Sequence, residues 1–321
     1  MSEKESNYIL YHYTPTRAGA GVFAALFCVC LVALTGFLVY FAKSCGKRGY
    51  IAESLNDPEL KIEVEEPISR VGNAKSFGKY VPLLLGCVME AVGYIGRAIS
   101  SSDTSALGPY VMQTVLLLVA PALMAATIYM LFGRMLALLR CTSLSIVPSK
   151  FHTTTFVAGD IFSFFLQAAG GGLMSQKSST TTGSHLIVAG LFVQIAFFGL
   201  FLVTELRFAL RVNRVSPMLE RGNSWKFLNW TLLVASLLIM GRSVVRVIEF
   251  IQGFEGYIIT HEYFIYVFDA APMLLTSLIF VATLPCCNIF KLEQIYSWAP
   301  GNEVLAELCP PFSVAAYQNN K

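Results

Sequence analysis

Apolar residues gather into seven stretches, at 20–42, 79–98, 110–132, 154–174, 185–205, 225–250 and 261–286, with polar segments between them. Each has the length, about 20 residues, that an α-helix needs to cross a hydrocarbon layer of ~30 Å. A bilayer core offers no water to unpaired backbone groups, so each run is expected to be helical. The pattern predicts an all-α integral membrane protein, a bundle of seven transmembrane helices. A polar, tyrosine-rich stretch (Tyr8, Tyr11, Tyr13) precedes the first run. That run is too long for the hydrophobic region of a cleaved signal peptide, so it is expected to remain as a signal anchor. The expected organisation is an extracellular segment 1–19, a membrane domain 20–286 with a long cytosolic loop 43–78, and a cytosolic tail 287–321.

Charges interrupt the apolar runs. Glu90, Asp160, Glu249, Glu262 and Asp269 lie at or inside them, as do Arg97, Arg242 and Arg246. A charge at bilayer depth costs roughly 2.5–3.5 kcal/mol on insertion scales and is tolerated when it faces a partner or a wet cavity. Glu90, Tyr94 and Arg97 are spaced i, i+4, i+7, which puts them on one helix face. Arg242, Arg246 and Glu249 repeat that spacing on the sixth run, and Glu262, Tyr266 and Asp269 on the seventh, where Pro272 is expected to kink the helix. Three polar stripes at overlapping depth predict mutual pairing, arginines of helices 2 and 6 facing carboxylates of helices 2, 6 and 7. Asp160 and Gln167 on helix 4 and Gln194 on helix 5 extend the polar set, so that Asp160, Glu90 and the outer cluster mark a candidate path through the membrane. Five carboxylates against three arginines leave two negatives that must be protonated or meet a cation. The competing reading is structural: ion pairs between helices fix register without binding anything.

Composition agrees with a membrane protein. The 321 residues are 55% hydrophobic and 13% charged, with mean hydropathy +0.61. Net charge is +3, and its distribution sets the orientation. Seventeen lysines and arginines fall on one side of the expected topology and three on the other. By the positive-inside rule the N-terminus is outside and the C-terminus cytosolic. Cys45, Cys141, Cys286, Cys287 and Cys309 then fall on the cytosolic side, and Cys28, Cys30 and Cys87 within spans, leaving no cysteine for an extracellular disulfide. Cys286 and Cys287 at the end of helix 7 are either palmitoylation candidates or inert thiols. Asn229-Trp230-Thr231 matches a glycosylation sequon on the cytosolic side and is expected to be silent. The acidic patch of loop 43–78 (Glu53 to Glu66) reads as a solvated face. Gly93 and Gly96 flank Tyr94 and admit a close neighbour, and Gly170, Gly171 and Gly172 at the end of helix 4 are either a hinge or the start of the outer loop 175–184.

Several chemistries lack their residues. There is no GxxxxGK[ST] phosphate loop and no HExxH. His12, His152, His185 and His261 are scattered, which argues against a metal-dependent hydrolase. The signatures of the common seven-helix receptors are missing too: Phe132-Gly133-Arg134-Met135 stands at the end of helix 3, and Asp269-Ala270-Ala271-Pro272-Met273 in helix 7.

The polar motifs resemble one family. Glu90-Ala-Val-Gly-Tyr-Ile-Gly-Arg97, Pro121 through Tyr129 with Gly133-Arg134, and Asp160 through Gln167 with its following glycines carry the resemblance. Gly190 through Gln194, Arg242-Ser-Val-Val-Arg246-Val-Ile-Glu249, His261 through Asp269 and Tyr13-Thr-Pro15 complete it. From about residue 10 to 290 the chain is similar to the fungal lipid-translocating exporters, or RTA-like proteins; the insertion 50–76 is longer than that family's pattern and the C-terminal tail lies outside it. The resemblance implies a seven-helix protein of fungal membranes, with relatives linked to release of sphingoid long-chain bases, resistance to toxic amphiphiles and porphyrin uptake.

The function expected from residues and resemblance together is translocation or export of amphipathic, cationic lipids, with resistance to toxic amphiphiles, at the fungal plasma membrane. Glu90 and Asp160 would meet the ammonium or change protonation, while Arg97, Arg242 and Arg246 hold the other carboxylates. The alternative is a receptor-like lipid sensor acting indirectly on membrane composition. The expected partners are membrane lipids or amphiphilic small molecules, with no nucleic acid, no cofactor, no metal and no catalysis; the oligomeric state is left open.

Overall fold

A computed structural model of the chain describes residues 16–44, 76–101, 107–139, 151–174, 180–215, 224–252, 262–290 and 292. Loop 43–78 from residue 45 to 75, His12, His261, Cys45, Cys141, Cys309 and nearly all of the tail lie outside the described residues. Among the described residues the structure is all helical, and seven helices are long and apolar enough to cross a membrane. They are α1 (Arg17–Ser44), α2 (Val81–Ser100), α3 (Leu107–Leu138), α4 (His152–Met174), α5 (Thr180–Val215), α6 (Ser224–Gln252) and α7 (Tyr263–Cys286).

Each helix packs against its neighbours in sequence, and α1 also packs against α7, which closes the circuit. A cross-contact between α3 and α6 divides the ring into two lobes. One holds α1, α2 and α7 against that divide, and the other holds α4 and α5. Large apolar side chains are both inside and outside. Phe27, Leu34, Tyr94, Phe132 and Phe201 are fully buried, whereas Val32, Phe165 and Leu210 stand exposed. An apolar exterior is what a lipid-facing surface requires, since lipid tails do not drive leucine inward.

Helices α3 and α5 outrun the apolar spans read from the sequence, reaching Leu138 and Val215 rather than 132 and 205. The reason is local. Phe208 and Val212 continue the buried face of α5 while Arg207 and Arg211 stay exposed, so the helix remains amphipathic past the hydrocarbon. Gly170 to Gly172 lie in the last turn and a half of α4, which runs to Met174 as the 154–174 stretch predicts. A Cβ on Gly170 would lie 2.7 Å from the Gly183 carbonyl oxygen and 2.9 Å from the Ile187 nitrogen, so this glycine lets two backbones touch. Gly190 does the same farther along, 3.0 Å from the Ser163 carbonyl oxygen. Gly170→Ala is therefore expected to destabilise the bundle by about 1–3 kcal/mol, the usual cost of overpacking. Thermal unfolding in detergent, with Gly171→Ala as the control whose methyl meets open space, checks this. Equal melting of the two variants would mean that α4 and α5 are not this close.

In α7 the turn before Pro272 has an identifiable geometry. Tyr266–Ala270 forms one π turn, and the Ala271 N–H donates to the Tyr266 carbonyl five residues back. Pro272 has no N–H for the Phe268 carbonyl and its ring crowds that oxygen, so the helix widens by one residue before resuming as Ala271–Cys286. The turn leaves Val267 and Phe268 exposed and Asp269 buried.

Candidate functional site

The first polar locus lies in the α1–α2–α7 lobe, at the end of the bundle where α1 begins. Arg97 Nη2 pairs with Glu262 Oε1 at 3.0 Å. The same oxygen accepts the Thr16 N–H at 2.8 Å and the Tyr266 hydroxyl at 3.1 Å. Arg97 also sits 5.5 Å over the Tyr266 ring. Phe23 stacks on that ring at 5.4 Å, and a Cβ on Gly19 would press into it at 2.9 Å, so α1 needs a glycine where Tyr266 lies against it. Glu262 thus clasps the start of α1 to α2 and α7.

Glu262 precedes the span Tyr263–Cys286. Desolvation acts to raise its pKa, but the Thr16 N–H, Arg97 and the Tyr266 hydroxyl outweigh it and hold the carboxyl below its ordinary value. A depressed carboxylate contributes stability above the unfolded pKa, about 4.3, and loses it as pH falls through the lower folded value. Melting temperature measured against pH should therefore show an acid limb that Glu262→Gln flattens. An unchanged acid limb in the variant would show that this clasp carries no proton linkage.

Deeper in the same lobe, Arg242 of α6 forms an ion pair through Nε with Asp269 Oδ1 of α7. Its Nη2 donates to the Leu117 carbonyl of α3 at 2.7 Å. That carbonyl is available because Pro121, four residues on, has no N–H to donate to it. One guanidinium therefore joins three helices, filling a gap that a proline made. Gly93 of α2 gives Leu117 its room, since a Cβ there would lie 2.9 Å from the Leu117 side chain.

Glu90 stands beside this pair, with Asp269 and Arg242 as its charged neighbours. It is 1% exposed, and neither carboxylate oxygen has a hydrogen-bond partner. The buried Tyr94 hydroxyl is likewise unpartnered. Arg246 and Glu249 pair within α6 at 2.8 Å, with Arg246 over Phe250. The three arginines thus each take one carboxylate, as the stripes predict, and Glu90 and Asp160 remain without one.

The second locus is in the other lobe. Asp160 Oδ2 of α4 accepts the Tyr129 hydroxyl of α3 at 3.0 Å, and Oδ1 has no partner. Phe156, Phe198 and Phe201 enclose the Tyr129 ring. One turn along α4, Ser163 donates to the Gly190 carbonyl at 2.7 Å. Gln167 Nε2 donates to Ser163 Oγ at 2.7 Å and to Gln194 Oε1 at 3.2 Å. A cavity of about 190 Å³, open on one side, runs along the α3–α4 seam past Asp160, Ser163, Gln167 and Gln194.

The candidate residues around Glu90 and those around Asp160 fall on two sides of α3. Helix α3 stands between the loci: Leu117 and Met124 face α2, while Leu118, Val119, Ala122, Leu123 and Ala126 line the cavity. The sequence reading also missed a buried carboxylate. Glu205 is fully buried on α5, with Ser236 of α6 as the hydroxyl facing it and neither oxygen in hydrogen-bond geometry. It raises the intramembrane carboxylates without an arginine from two to three. The signal for it was the apolar spacing that continues through Phe208 and Val212. His152, caged by Phe132, Phe156 and Phe201 with both ring nitrogens unpartnered, was missed because it opens a helix. Asn229 of the sequon is buried in α6, and of the cysteine pair Cys286 is exposed and Cys287 buried.

Comparison with known proteins places this architecture. No solved structure matches the chain significantly. The chain is 52% identical over 295 residues to protoporphyrin uptake protein 1 of Saccharomyces cerevisiae, covering 91% of this chain and 97% of that one. It is 49% identical over 292 residues to the yeast protein RTM1, covering 89% and 94%. It is 29% identical over 225 residues to the yeast sphingoid long-chain base transporter RSB1, covering 58% of each. The family model described as RTA1 like protein matches residues 83–293, from α2 past the end of α7, and the chain belongs to that family of membrane proteins.

Proposed function

We propose that this protein moves amphipathic lipids with cationic head groups across a fungal plasma membrane, and so confers resistance to toxic amphiphiles. In this reading the N-terminus is outside, the C-terminus cytosolic, and cargo crosses chemically unchanged. The observation that carries it is charge imbalance: three intramembrane arginines are each paired, while Glu90 and Asp160 have no cation. An acid at that depth either holds a proton or meets a positive ligand, and a protein that moves cationic lipids uses both states. Two relatives, a sphingoid long-chain base transporter and a protoporphyrin uptake protein, support the amphipathic part of this reading, because both molecules join an apolar body to polar groups.

The test is leaflet transfer of a fluorescent long-chain amine in liposomes containing only the purified protein, with Glu90→Gln alongside. Transfer by the wild type and its loss in the variant is the expected result. A folded wild type that transfers nothing, with or without an imposed pH gradient, would replace the translocator with a lipid sensor.

A further inference from the structure

A cavity opens on the α3–α4 seam beside Asp160. Its lining is apolar except for Asp160, Ser163, Gln167 and Gln194. Two of its buried polar atoms are unpartnered, Asp160 Oδ1 and Gln167 Oε1, and both accept hydrogen bonds. Asp160 and Gln167 are 6% and 5% exposed, so water does not satisfy these oxygens from an open surface. Asp160 is the one charged residue on the lining. A ligand that completes this site brings donors and a positive charge.

The cavity's size and opening define the rest of the ligand. At about 190 Å³ it is smaller than the roughly 300–1,000 Å³ pockets that enclose a whole small ligand. It is also open on one side, with the exposed Ile161 at its rim and Phe165, also exposed, one turn along α4. The five α3 residues that line it are small or aliphatic and only half-buried, Ala122 and Ala126 among them. A head group fits inside while the rest of the molecule stays in lipid. Asp160 and Gln167 are two turns apart, about 10 Å along the axis, so an ammonium on Asp160 leaves Gln167 for a second donor on the same head group.

We propose that the α3–α4 seam is a binding site for the protonated primary amine of a single-chain lipid, which enters sideways from the bilayer. The ammonium donates to Asp160 Oδ1, a neighbouring hydroxyl or amide donates toward Gln167 Oε1, and the alkyl chain leaves past Ile161 into lipid. Tyr129, which holds Oδ2, orients the carboxylate. Because the site offers acceptors, it distinguishes a primary amine from a quaternary ammonium of equal charge that has no N–H to give. The assignment rests on the translocator reading for its biological sense, but its chemistry is testable by binding alone.

The experiment uses the full-length protein in nanodiscs and a long-chain primary amine with a fluorophore at its tail end. Competitors are the unlabelled amine, its trimethylammonium analogue and the matching fatty acid. Two variants are compared with the wild type. Asp160→Asn removes the charge but keeps an acceptor for Tyr129, and Ala122→Phe fills the seam while leaving Asp160 intact. The expected result is at least tenfold weaker amine binding in both variants, with the trimethylammonium analogue and the fatty acid competing at least tenfold less well than the amine. Wild-type affinity in either folded variant, or equal competition by the trimethylammonium analogue, overturns the site. Liposome transfer separates the two readings. Transfer by the wild type at a rate that neither variant changes removes the site and keeps the translocator. Seam-dependent binding with no transfer keeps the site and removes the translocator.

Discussion

Arg242→Met is expected to be the most damaging single change in the bundle, costing about 3–5 kcal/mol, the range for breaking one side of a buried pair. The methionine keeps the length and apolar stem of the side chain, so the loss is of charge and donors. It leaves Asp269 without its cation and removes the positive neighbour of Glu90, whose oxygens have no hydrogen-bond partner. It also orphans the Leu117 carbonyl, which Pro121 cannot satisfy. Chemical denaturation in detergent measures the loss, and a variant that unfolds at the wild-type midpoint would refute this account. Two further variants divide the effect. Arg242→Met with Asp269→Leu removes both charges and should recover most of the stability, since an apolar replacement of a buried pair is often neutral. Adding Pro121→Ala should recover a further part, about 1 kcal/mol for one hydrogen bond, by restoring the N–H that the Leu117 carbonyl lacks.

The largest functional effect is expected from Glu90→Gln combined with Asp160→Asn. Both changes keep side-chain volume and a hydrogen-bonding oxygen and remove only the ability to ionise. If these groups meet the cationic head in the membrane, each loses a charge-assisted hydrogen bond of about 1.5–3 kcal/mol, and transport should fall by roughly a hundredfold or more. Release of a long-chain amine from cells, normalised to protein at the membrane, is the measurement. Stability should change little, because Glu90 makes no hydrogen bond to lose and Tyr129 still finds an acceptor at position 160. Undiminished release from a normally expressed double variant would remove both residues from the mechanism. The single variants add resolution, because the loci lie on opposite sides of α3. Loss in only one of them would place the cargo in that lobe.

The candidate site was partly legible in the sequence, for reasons visible residue by residue. The i, i+4, i+7 spacing of Glu90, Tyr94 and Arg97 put a polar face on one helix, and the same spacing on α6 and α7 put two more at matching depth. Opposite charges at one depth, in a medium that penalises each alone, have few ways to be satisfied, so the pairing of α2 and α6 arginines with carboxylates followed. Glu205 was overlooked, because the apolar run was closed at that residue although apolar spacing continues through Phe208 and Val212. A charge that ends a hydrophobic window looks interfacial, and only packing against α6 shows that it is buried. The placement of Glu90 and Asp160 on opposite sides of α3 was not legible for a different reason. Depth along a helix follows from counting residues, but the side of a neighbouring helix on which a residue lies does not.

The sequence by itself determined that this chain crosses a membrane seven times as helix, and which residues carry charge into it. Length, apolarity and the absence of backbone partners in lipid leave no other solution. Tertiary structure alone decided that Arg97 takes Glu262 and Arg242 takes Asp269, that a guanidinium fills the gap left by Pro121, and that Gly170 lets α4 and α5 touch. It also decided that Asp160 opens on a seam apart from Glu90. These outcomes depend on the rotation and register of one helix against another. In lipid, where hydrophobic burial does not choose the inner face, close packing and polar pairing between helices set both.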